Sequence, residues 1–361
     1  MYFYQTSQNR VRKTASALLA VILLISPLGN IAFAGATEDT AWVYDVARVA
    51  GQTSVIGQYG DYRESYAIDV PPGTNGLTPI LQLSYSSQAD GYGSSVGYGW
   101  SLFSPAVVRL NKNGVDQIYS RSDFQSSYDG ELTEADANEF IPRVQTSSFK
   151  TYTLGGTDWV TYSQDGTKYT FGSTTNARQR AYSTSTDIYA WYLDEIQDAN
   201  GNKIKYEYIQ SEGKVYPSKI FYGYDSLGDN AYEVDFVYAS STSYISYEPG
   251  FAVVNDRILE SIVVYFDGDL ITQYDLEYEN PNGSTINLLN SIHKIGYSEN
   301  GIAASTSPRY FEYVQESAGW TNDTSIATTA PSYLYLQVDD TGQSYTQYSR
   351  DMLLDMNADV V

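Results

Sequence analysis

SYAIDVPPGTNGLTPILQLSYSSQADGYGSSVGYGWSL, from Ser65 to Leu102, reads as strand, tight turn, strand and glycine-rich loop, in that order. Ile68 and Val70 run into Pro71, Pro72 and Gly73. A double proline ends regular pairing there, because proline has no N–H for a ladder and restricts the residue before it. Leu77, Ile80, Leu81 and Leu83 resume an apolar segment. Leu81, Leu83 and Tyr85 alternate with Gln82 and Ser84, the period of a half-buried strand. Gly91, Gly93, Gly97 and Gly99 then deliver the chain to Trp100. Glycines this dense mark a backbone that needs positive φ or close approach to a neighbour. GYGSSVGYG lacks the lysine and the strand–loop–helix context of a phosphate cradle. The first turn is therefore assigned to Pro71, Pro72 and Gly73, and the loop's return into the core to Gly97, Gly99 and Trp100.

Downstream the signals are nearly all β. The fold class expected is all-β, a series of antiparallel hairpins with little helix beyond the N-terminal leader. The best helical candidate, ELTEADANEF (Glu131 to Phe140), reads as a loop or a single helical turn. Trp159 to Tyr162 lead to Asp165-Gly166, and Tyr169 to Phe171 lead away, a hairpin signal. In WYLDEIQDANGNKIKYEY, Trp191 to Tyr208, the turn is shaped by Asp198, Asn200, Gly201 and Asn202. Looser echoes follow over Val215–Tyr238, Ile258–Tyr278 and Leu288–Tyr313. The outgoing tyrosines Tyr208, Tyr238, Tyr278 and Tyr313 are 30, 40 and 35 residues apart, spacing that fits a hairpin series with loop insertions better than a strict solenoid.

The N-terminus has the layout of a cleaved secretory signal over residues 1–34. Arg10, Arg12 and Lys13 precede the apolar run Ala15 to Ile25, and Ala32-Phe33-Ala34 forms the cleavage site before Gly35. The expected localisation is extracellular, without a membrane span. Removing the leader takes the formal charge from −22 to about −25. Such a surface repels phosphate backbones, which excludes nucleic acid as a natural partner and leaves basic protein surfaces or cations. The absence of cysteine rules out a disulfide framework and thiol chemistry. Tyrosine is the unusual component, 36 of 361 residues against 12 phenylalanines, and suits sheets with one wet face.

The run IDVPPGTNGLTPILQLSYSS followed by VGYGWSL resembles the opening of the SpvB-type domain, found in Salmonella plasmid virulence proteins, the B component of insecticidal toxin complexes and RHS/YD-repeat proteins. WVTYSQDGTKYTFG resembles a second signature of that family, and DANGNKIKYEY resembles one YD/RHS repeat. The resemblance covers about residues 54–320, after a lead-in arm at 35–53. It implies a non-enzymatic wall segment of a β shell that works with RHS repeats to enclose a C-terminal effector, with other toxin-complex segments as partners. Residues 321–361 read as a linker and the start of an FG-GAP/VCBS-like propeller. In that family such loops hold calcium, and Asp355, Asn357 and Asp359 match its alternating oxygen ligands. The match stops before the later ligands, with Val360 where glycine is usual, so the chain reads as a fragment of a longer product. No other cofactor is expected.

Catalytic constellations are weak. The single His293 sits between strand-like Ile292 and Ile295, and no G-x-S-x-G elbow precedes a helix. Arg109, Ser183-Thr184-Ser185 (or Ser241-Thr242-Ser243) and Glu277-Tyr278-Glu279 imitate the Arg, Ser-Thr-Ser and Glu-x-Glu order of some ADP-ribosyltransferases. Here Gln273, Asp275, Glu277 and Glu279 share one strand face, opposite Tyr274, Leu276 and Tyr278. Paired carboxylates for glycoside hydrolysis have no distinguishing spacing. The alternative from another class is a cell-surface or carbohydrate-binding β module using exposed aromatic rings.

Overall fold

The computed structural model describes residues 55–56, 61–89, 93–145, 149–225, 227–281, 284–298, 300–313, 337–338 and 344–345. The leader, the lead-in arm and Asp355, Asn357 and Asp359 lie outside them. The described chain is all-β apart from two three-residue 3-10 turns, Thr74–Gly76 and Val115–Gln117.

Four strands make a small antiparallel sheet: β1 (Val55–Ile56), β2 (Tyr62–Ala67), β3 (Gln82–Ser86) and β4 (Trp100–Leu102). The chain then enters a closed barrel built from β5 (Ala106–Arg109), β6 (Phe124–Ser126), β7 (Gly130–Asp136), β8 (Glu139–Pro142), β9 (Tyr152–Leu154), β10 (Trp159–Tyr162) and β11 (Lys168–Phe171). After the short β12 (Arg178–Gln179), β13 (Ala190–Gln197) shuts the ring, pairing with β11 through its second half and with β5 through its first. From β13 the ladder continues outward as a large sheet of long strands. These are β14 (Lys203–Ser211), β15 (Lys214–Tyr224), β16 (Asn230–Ser246), β17 (Val253–Phe266), β18 (Asp269–Glu279) and β19 (Leu288–Tyr297). The short β20 (Ala303–Ser305) and β21 (Arg309–Tyr310) both pair with β19. A further pair, β22 (Gln337–Val338) and β23 (Ser344–Tyr345), belongs to a second compact unit, Glu312–Val361.

Aromatic side chains pack the interior of the barrel. Phe124, Phe140, Trp159 and Trp191 meet edge to face, with ring centroids 4.9 Å apart for Phe124 and Trp159 and 5.0 Å for Phe140 and Trp159. All four are buried. Clustering of this kind adds about 0.5–1.5 kcal/mol per pair beyond area burial. The small sheet lies on one face of the large one. Tyr66 meets Tyr274 edge-on, the Tyr222 hydroxyl donates to Pro71 O at 2.9 Å, and Asn255 Nδ2 donates to Ser94 O at 3.0 Å.

Two expectations change. Residues 131–140 are neither loop nor helical turn: they supply most of β7 and the start of β8, joined by a tight turn with Asn138 at φ 62°. Only Leu132 and Phe140 point inward there, and the charged face is solvated. Neighbouring strands impose the conformation, so local composition signals it poorly. Tyrosine is also not confined to wet faces, since Tyr152, Tyr216, Tyr222 and Tyr274 are completely buried.

Candidate functional site

The glycine-rich opening works by close approach. Gly73 has an ordinary φ, but a Cβ there would sit 2.1 Å from Leu77 O. Gly97 (φ 94°) lies against the 287–289 backbone, and Gly99 (φ 78°) against the Tyr85 ring. Trp100 follows, 2% exposed, with its ring 4.7 Å from that of Phe311.

The hairpins share a turn. In Ser163–Thr167, Asp198–Asn202, Asp225–Asp229 and Ser298–Ile302, the first residue's N–H donates to the fifth carbonyl at 2.9–3.0 Å. The fourth residue is in each case a glycine with φ between 71° and 91°, whose N–H donates to the first carbonyl. A side-chain oxygen caps the fifth N–H, from Asp165, Asp198, Asp225 or Ser298. This is the type I turn followed by a left-handed residue, which suits a three-residue hairpin loop. Asp198 Oδ1 accepts from Asn200 N and Asn202 N, and Asn202 Nδ2 closes onto Asp198 Oδ2. The turn residues predicted at 198–202 are thus brought together.

A second device recurs one strand later. Tyr208, Tyr238 and Tyr278 each stand at a bulge, where the register slips at Glu207/Tyr208, Val237/Tyr238 and Glu277/Tyr278. Each hydroxyl reaches back to a carbonyl of the strand before it: Leu193 at 2.6 Å, Pro217 at 2.9 Å and Leu259 at 2.7 Å. The spacing of these tyrosines was legible in sequence, whereas the bulges they anchor were not.

The residues that imitate an ADP-ribosyltransferase do not assemble. Arg109 Nε donates to Ile188 O at 2.8 Å and its Nη1 to both Ile118 O and Arg121 O, while the guanidinium lies over the Phe124 and Trp191 rings. Burial lowers its pKa. Glu277 accepts from Ser291 on the neighbouring strand, and Ser183 and Thr184 are exposed. His293 is half-buried in β19 opposite Asp275. Among the described residues no cluster of three or more His, Asp or Glu has metal-binding geometry, and no helix is long and apolar enough to cross a membrane.

Two cavities stand out among the described residues. One, of about 420 Å³, lies where the small sheet, the barrel and the large sheet meet, with Leu81, Ile204 and Ile220 in its walls and Ser104, Tyr128 and Tyr206 among its polar groups. Burial pushes the Tyr128 and Tyr206 phenols above their ordinary range. The other, of about 440 Å³, is framed by Gln179, Tyr189, Tyr192, Lys214, Glu248 and Asn255. There Tyr189 donates to Glu248 at 3.0 Å and Lys214 to Gly93 O at 3.1 Å. Burial pushes Lys214 down and Tyr192 up to about 12. Asp194, on β13, accepts from Ser173 Oγ and Thr174 N, both at 2.7 Å, through one oxygen, while its other oxygen is buried without a partner. Burial raises its carboxyl pKa.

Comparison with known proteins fits this architecture. Residues 138–222, from the β7–β8 turn to β15, match the family model described as Salmonella virulence plasmid 65kDa B protein, SpvB. The structure of the N-terminal domain of effector protein SpvB from Salmonella typhimurium strain LT2 aligns over 99% of its own length and 64% of this chain, at TM-score 0.56 and 18% identity. Residues 138–222 are thus similar to part of the SpvB family, and the likeness to the solved structures is one of fold. TcdB2-TccC3 aligns over 72% of this chain, at TM-score 0.63 and 19% identity, and the Photorhabdus luminescens Tc holotoxin pore over 73%, also at TM-score 0.63 and 19% identity. The chain spans about a sixth (16%) of the length of each of those two toxin chains. A sequence search of curated proteins gave no match. The family match takes in β8 to β15 and leaves β5 to β7 and β16 to β19 outside it.

Proposed function

We propose that this chain is a non-enzymatic structural module of a secreted, virulence-type protein, and that its sheets form part of a β wall around or beside a C-terminal effector. The observation that carries the reading is the alignment of about 72% of the chain with TcdB2-TccC3. The barrel packed with aromatic side chains suits a rigid wall element, and the large sheet supplies long strands for lateral extension. The N-terminal leader pattern supports export. Protein segments of the toxin-complex kind are the partners this reading implies.

The test is purification from the native producer, followed by electron microscopy and a glycan array. Hollow particles with residues 55–313 in their wall are the expected result. A free monomer with a specific glycan hit would replace this reading with carbohydrate binding.

A further inference from the structure

We propose that the cavity at the junction of the three sheets is a binding site for a small, uncharged, two-ring aromatic molecule bearing one hydroxyl, a naphthol-like phenol. At about 420 Å³ it falls within the size range of small-molecule sites. Its walls are mainly aliphatic and aromatic, with Phe103, Tyr169 and Phe236 presenting ring surface. Its lining carries unused hydrogen-bonding capacity. Tyr128 and Tyr206 line the cavity, and neither hydroxyl has a hydrogen-bond partner within the protein. Ser104 Oγ, in the same lining, is buried beside the Tyr208 hydroxyl. Hydroxyls that line a cavity with no partner in the protein are open to a complementary group on an occupant.

The charges there decide the ligand's head. Lys150 Nζ lies 5.7 Å from the Tyr128 ring centroid, but it is held by both oxygens of Asp129, at 3.0 and 3.2 Å. Asp129 also accepts from the Tyr152 hydroxyl. With that cation neutralised, the open valences belong to neutral hydroxyls, which favour a neutral hydroxyl over a carboxylate. The ring-lined wall favours an aromatic body, whose edge-to-face packing exceeds plain area burial. An occupant touches all three sheets, so binding stabilises the junction and raises the melting temperature.

The test titrates the purified chain with 2-naphthol, naphthalene and 2-naphthoate, by calorimetry and thermal melting. The expected result is one 2-naphthol per chain with a raised Tm, naphthalene about tenfold weaker, and no binding of 2-naphthoate. Tyr206→Phe removes most of the preference for naphthol over naphthalene, and Leu77→Trp, which intrudes on the cavity, abolishes binding of both. Should Tyr206→Phe melt without cooperativity, Tyr128→Phe and Ser104→Ala give the same readout. Absence of 2-naphthol binding, equal affinity for naphthalene, or a preference unchanged in these variants would each overturn the assignment and leave ordered water as the occupant. None of these outcomes depends on the shell reading.

Discussion

Asp194 shows how one residue reports on the interior. It is 4% exposed, and its two donors, Ser173 and Thr174, serve the same oxygen. Burial raises the carboxyl above the ordinary aspartate range despite those hydrogen bonds. The folded state therefore binds the proton more tightly than the unfolded chain does. The associated stability is fully present below the unfolded pKa and is lost as pH rises through the folded one. Asp194→Asn keeps an acceptor for Ser173 and Thr174 and removes the titration. Its urea midpoint relative to the parent chain is expected to climb as pH rises from about 4 to about 7. A difference that stays flat or falls over that window would show that burial does not penalise this carboxylate. Sequence gave no hint of this, because an aspartate beside a glutamate on a strand reads as solvated. Gly201 was readable, since its Asn-Gly context demands a left-handed residue and its φ is 89°. Gly172 was not: it stands at φ 68°, and a Cβ there would meet the Trp191 ring at 2.4 Å, a packing reason that exists only in three dimensions.

At the scale of elements, the hairpin pairs from β10/β11 onward were legible because turn chemistry and period-2 alternation are local. Barrel closure was not, since it depends on β13 pairing with β5, residues more than 80 positions apart. The bulged tyrosines fall between these cases. Their recurrence is visible, but their consequence is a strand kink and added twist at matching places in the large sheet. Each hydroxyl ties the bulged strand to the one before it, so removing a hydroxyl loosens one bulge and leaves the ring packed. Tyr238→Phe is expected to cost about 1 kcal/mol, and the paired variant Tyr238→Phe/Tyr278→Phe about 2 kcal/mol, as separate single hydrogen bonds. Denaturant unfolding with an unchanged m-value checks this. No loss in either variant would mean that the bulges hold without these bonds.

For the whole molecule, the decisive feature is how the first strands and the last are fastened together. The small sheet comes from the beginning of the described chain, yet Trp100 packs on Phe311 and Glu64 pairs with Arg309 at 2.9 Å. Phe311 N also donates to Asn290 O at 2.8 Å, and its side chain is 7% exposed. The first compact unit runs to Phe311. Phe311 and Arg309 lie in a stretch that reads as ordinary polar chain, and their partners are more than 200 residues away. A chain that stops after Tyr313 is therefore expected to melt like the full chain. One that stops after Ser305 loses β21, the Arg309 pair and the Phe311 ring over Trp100. Exposing Trp100 and forfeiting one buried phenylalanine should cost about 3 kcal/mol, or about 6 °C in Tm for a domain of this size. Equal melting temperatures for the two truncations would show that the closing contact carries no stability, and that the small sheet is held by the large sheet alone.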